Sequence, residues 1–105
     1  MAQLTLLPNT GSVATGTGYF ISTAVTQANL EFAPQANTGF SGTVYIDSST
    51  APNPGANDWF TIATLVFSAQ TTTVDINLYL STNPWIRARI AVAPSIGSIS
   101  VYLAY

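Results

Sequence analysis

A chain of 105 residues has the size of one domain and too little length for a second core. Only 6% of it is charged, against roughly a quarter of an ordinary soluble domain, and the whole ionic inventory is Glu31, Asp47, Asp58, Asp75, Arg87 and Arg89. Two arginines, no lysine and a formal charge of −2 cannot neutralise a run of phosphates, so nucleic acid is not an expected partner.

Period-two alternation of apolar and polar residues runs through the chain, and no stretch keeps a helical period. Residues 4–7, with Leu4, Leu6 and Leu7, read as an edge strand, and residues 1–8 as an edge or arm that docks on a neighbour. This opening has no basic start and no long apolar run, so mature sequence without a membrane span is expected. Short strands follow at 19–22, 30–33 and 43–47, then a Pro-, Asn-, Gly- and Ser-rich loop at 48–57. Residues 58–67 are apolar on both faces (Phe60, Ile62 and Val66 against Trp59, Ala63, Leu65 and Phe67), which predicts a central strand covered on both sides.

Residues 73–80 alternate cleanly, with Val74, Ile76, Leu78 and Leu80 on one face and Thr73, Asp75, Asn77 and Tyr79 on the other. After Pro84, residues 85–92 send Ile86, Ala88, Ile90 and Val92 inward and Trp85, Arg87 and Arg89 outward. Residues 98–103 close the chain with Ile99, Val101 and Leu103 on one side and Tyr102 on the other. Tight turns are expected at Asn9-Thr10-Gly11, Asn37-Thr38-Gly39, Ser81-Thr82-Asn83-Pro84 and Pro94-Ser95-Ile96-Gly97. About eight strands in one domain spanning 1–105 predict an all-β, antiparallel β-sandwich of jelly-roll-like form.

Histidine, cysteine and lysine are absent, which removes His- and Cys-based nucleophiles, Schiff-base chemistry and the common zinc sites. A catalytic carboxylate pair would have to come from four acidic residues that read more simply as turn or surface groups. Oxygen ligands for calcium at Asp47, Asn53, Asn57 and Asp58 match no loop pattern. No enzyme activity, cofactor or metal is therefore expected. Arg87 and Arg89 share one strand face, where they pair with Asp75 or Asp58 or reach an acidic partner. The two tryptophans and five tyrosines suit subunit interfaces or, alternatively, a sugar-stacking platform.

Four elements, Gly42-Thr43-Val44-Tyr45-Ile46-Asp47-Ser48-Ser49, Asp58-Trp59-Phe60, Trp85-Ile86-Arg87-Ala88 and Gly97-Ser98-Ile99-Ser100-Val101, give residues 42–101 a pattern that resembles small virion proteins of tailed bacteriophages. That resemblance implies a β-sandwich capsid cement or decoration protein, a homotrimer on the outer capsid surface, made in the host cytoplasm and contacting the major capsid protein and its own copies. Leu4, Leu6, Leu7, Arg87, Arg89, Tyr102 and Tyr105 are the expected interface residues. A carbohydrate-binding or host-recognition module of a tail fibre is the alternative.

Overall fold

Alternating sequence becomes layered structure wherever one face of each strand finds a partner face. The computed structural model describes residues 3–21, 27–79 and 85–105. It forms the strands β1 (Gln3–Thr10), β2 (Ala14–Thr15), β3 (Tyr19–Phe20), β4 (Gln27–Pro34), β5 (Phe40–Ser49), β6 (Phe60–Gln70), β7 (Val74–Tyr79), β8 (Trp85–Ile90) and β9 (Ile99–Ala104). One sheet runs β1-β9-β4-β7; the other runs β2-β8-β5-β6, with β3 also on β8. Every pairing is antiparallel.

β2 and β3 pair with successive parts of β8, so they are one edge strand broken near Gly16 and Gly18. Counted once, it leaves eight strands among the described residues, as the strand count predicts, and the two sheet orders, which alternation does not determine, are those of a jelly roll. Leu30 and Phe32 of β4 and Ile99, Val101 and Leu103 of β9 face Val44 and Ile46 of β5 and Ile86, Ala88 and Ile90 of β8, all buried. Phe67 closes one end, its ring 5.8 Å from Phe32 and 5.9 Å from Phe40.

The two sides of the sandwich are closed differently. On one side the broken edge strand meets β1: Gly16 N–H donates to the Ala88 carbonyl at 2.8 Å, and a Cβ on Gly16 would overlap the Leu6 carbonyl. Only glycine lets the backbones approach so closely. On the other side, β6 and β7 are the outer strands of their sheets. Their inward residues Ile62, Leu65, Val74, Ile76 and Leu78 pack on the core but stay half-exposed.

Several expectations are corrected by this arrangement. The segment read as a doubly covered central strand, 58–67, lies mainly in β6, an edge strand whose outer face meets solvent, with Val66 76% exposed. Apolar residues on both faces imply two covers only when the chain itself supplies the second. Val92 is exposed and not inward, because β8 ends at Ile90. Asn9 and Thr10 belong to β1 and not to a turn. β5 continues through Ser48 and Ser49, so the long loop starts later; the Ser48 hydroxyl donates to the Trp85 carbonyl at 2.8 Å and holds that extension to β8. The turn at 37–39 is present, whereas at 94–97 the chain bends at Ser95 and Ile96 bridges antiparallel to Ser41 in place of the expected tight turn; Gly39 and Gly97 sit at φ 74° and 76°, a region open to glycine at little cost. Ser22, Leu80 and the turn at 81–84 lie outside the described residues.

The closed side gives a direct test. Gly16→Ala should lower stability by about 2–4 kcal/mol in urea unfolding, since rigid backbone and not a flexible side chain stands in the way. Gly55→Ala, in a loop where the added methyl meets only the Asp58 carboxylate at 3.5 Å, should change it by less than about 0.5 kcal/mol.

Candidate functional site

The outer face of the β2-β8-β5-β6 sheet gathers both cations of the chain around one carboxylate. Alternation sends Tyr45 and Asp47 of β5 outward. Across the β5–β8 ladder Tyr45 is opposite Arg89 and Asp47 opposite Arg87, while across β5–β6 Asp47 is opposite Thr61. The β5–β6 register shifts between Ile46 and Asp47, and a bulge of this kind re-aims the side chains beside it.

Asp47 Oδ2 accepts from Arg87 Nε at 3.0 Å and from Arg89 Nε at 2.7 Å. Its Oδ1 accepts from the Thr61 hydroxyl at 3.0 Å, and Thr61 in turn accepts from Arg89 Nη2 at 3.1 Å. The arginines therefore pair with Asp47, not with Asp75 or Asp58, because direct cross-strand opposition puts Asp47 within reach. The Asp47 side chain is 2% exposed, those of Arg87 and Arg89 18% and 28%. A carboxylate this deep is tolerable because two charged donors and a hydroxyl replace its water.

Aromatic rings complete the arrangement. The Arg87 guanidinium lies 4.4 Å from the Trp59 ring centroid and that of Arg89 4.5 Å from the Tyr45 ring, each in cation–π range. Trp59 reaches across to the edge strand, where a Cβ on Gly18 would come within 2.7 Å of the indole. Gly18 thus leaves room for the ring. Phe20 meets Trp85 edge to face at 5.6 Å farther along the same outer face. The result is a flat aromatic and guanidinium surface with one net positive charge; among the described residues no enclosed pocket is present.

The opposite outer face is acidic. Glu31 of β4 and Asp75 of β7 are directly opposed in the ladder, an arrangement in which like charges repel. Asn29 Nδ2 reaches Asp75 at 3.4 Å, and Tyr102 stands opposite Glu31 on β9, half-buried. Asp58 lies in the loop and accepts from Gly55 N–H at 2.7 Å. No group of three or more metal-ligating side chains occurs among the described residues, and Asp47, already held by the arginines, is not available to join Asp58 at a cation.

The expected interface residues fall into separate places. Leu6 and Leu7 are buried in the chain's own core and Leu4 is half-buried against it, so these leucines are taken up by the chain itself. Tyr105 also packs partly on the core. The side chains of Arg87 and Arg89 stay partly exposed, and the terminal nitrogens of Arg87 make no hydrogen bond among the described residues. What sequence reasoning missed is the role of Asp47, Trp59 and Tyr45. Their only signal is their phase: Tyr45 and Asp47 on one strand and Arg87 and Arg89 on another share the same two-residue spacing.

Asp47→Asn should cost about 3–5 kcal/mol in chemical denaturation, because it leaves two part-buried guanidinium groups without their counter-charge. Asp75→Asn should be neutral or raise stability by up to about 1 kcal/mol, since it relieves the repulsion from Glu31.

No protein-family model and no curated protein sequence matches the chain. Among solved structures, the SPBc2 prophage-derived protein YomS is similar, with a TM-score of 0.69 at 7% identity over 97% of this chain and 88% of that one. The K2 cleaved adhesin domain of Lys-gingipain is also similar, with a TM-score of 0.63 at 11% identity over 84% of this chain, which spans 61% of that structure. At such identities the shared property is the fold: the chain has the same kind of β-sandwich as a prophage-derived protein and a bacterial adhesin domain.

Proposed function

We propose that the chain is a structural protein of a bacteriophage virion, a cement or decoration subunit that stabilises the outer capsid surface. It would do so through contacts with the major capsid protein and with its own copies, a homotrimer being what the sequence resemblance implies. The observation that carries this reading is the amount of apolar side chain left outside the core. Phe20, Phe60, Val66, Val92 and Ile96 are all exposed on a protein with only six ionised side chains. Covering such residues releases water at little desolvation cost. The likeness in fold to a prophage-derived protein supports the same reading. On this reading the protein is not an enzyme and uses no cofactor; Arg87 and Arg89 supply polar contacts to an acidic neighbour at the rim of the interface.

A second reading has its own support. The flat array of Trp59, Tyr45 and the two guanidinium groups has the form of a sugar-stacking surface, and one fold relative is an adhesin domain. It would make the chain a glycan-recognition module of a tail fibre.

The two readings separate experimentally. A cement protein should sediment as an oligomer at micromolar concentration and co-sediment with capsids lacking it, without changing its tryptophan emission in the presence of glycans. A monomer that ignores capsids but shows saturable fluorescence change on glycan titration would establish the second reading instead.

A further inference from the structure

Four strand edges border this sandwich, and three carry features that block strand addition. β1 contains Pro8, has two register shifts and is packed at Leu6 against Gly16. The β2–β3 edge is broken into two-residue pieces. β7 is six residues long and carries Asp75. β6 differs from all of them, with eleven residues, Phe60-Thr61-Ile62-Ala63-Thr64-Leu65-Val66-Phe67-Ser68-Ala69-Gln70, and neither charge nor proline.

We infer that β6 is a pairing edge and that its occupant is β6 of a second copy, joined antiparallel about a two-fold axis. Three observations select that partner. The strand has no ionisable side chain, so opposing it with itself creates no like-charge repulsion in any register. Its pairing with β5 is regular only from Ala63 to Phe67, with shifts at both ends, and Leu65 is the middle of that run. A two-fold there sets Leu65 against Leu65 and Thr64 against Val66, and it keeps inward residues opposite inward ones. Finally, the half-exposed Ile62, Leu65, Ile76 and Leu78 lie along this open side, so an added copy covers apolar surface as well as backbone.

The pairing gives the longest strand, which has β5 alone as a neighbour among the described residues, a second hydrogen-bonding partner. It does not depend on the virion reading, and it differs from a simple trimer by requiring an even number of copies, either a dimer or trimers joined in pairs.

Sedimentation equilibrium of the full chain and two double variants tests it, with circular dichroism as the check on folding. Thr64 and Val66 are both exposed, so neither variant removes core. T64K/V66K places lysines opposite each other across the axis and should weaken association by at least about tenfold. T64K/V66E places lysine opposite glutamate and should associate as the parent chain does. A monomeric parent chain, a strictly trimeric one, or two variants that behave alike would each overturn the inference. In the trimeric case self-association as such would survive and only this edge would be lost.

Discussion

A two-sheet sandwich always leaves four strand edges, and their unpaired N–H and C=O groups must meet water, another element or another molecule. In this chain that constraint divides the molecule into unlike sides. Where β1 meets the broken β2–β3 edge, Gly16 lets one backbone rest on another and hydrogen-bond to Ala88. Where β6 and β7 run, the core is partly uncovered and, among the described residues, the longest strand has no neighbour beyond β5. The first side is finished within the chain. The second has the composition of an interior strand in the position of an outer one.

Charge is distributed by the same alternation. With only six ionised groups, the face each one occupies matters more than in an ordinary domain. One outer face concentrates Asp47, Arg87 and Arg89 under Trp59 and Tyr45; the other opposes Glu31 to Asp75. The arginine cluster is satisfied by hydrogen bonds and stacking together, so it behaves as part of the framework as well as a contact surface. The acidic pair has only the long Asn29 contact to Asp75 in support and otherwise relies on solvent. Faces of opposite sign on one thin molecule, 17 Å in its shortest extent, suit a subunit held between unlike neighbours.

Surface and edge together support the proposed shell role over recognition by a deep site. Small-molecule sites are concave and enclose most of their ligand, whereas the features found here are a flat face, an open edge and scattered exposed apolar residues. Each gains most when another protein covers it. The adhesin-like alternative uses only the flat face and leaves the edge without a purpose.

The sequence by itself determined the all-β class, the single core and most strand faces, because a half-buried strand repeats every two residues and that period is local. Ile86, Ala88 and Ile90, Ile99, Val101 and Leu103, and Val44 and Ile46 all point inward as their phase requires. Tertiary structure alone decided which strands became edges. Pairing order depends on contacts between residues far apart in sequence, and nothing in the apolar run of β6 distinguishes a strand covered by its own chain from one covered by another. The same holds for the ion pairs: phase places Arg87 and Arg89 on an outer face, but only the β5–β8 register brings Asp47, and not Asp75 or Asp58, opposite them.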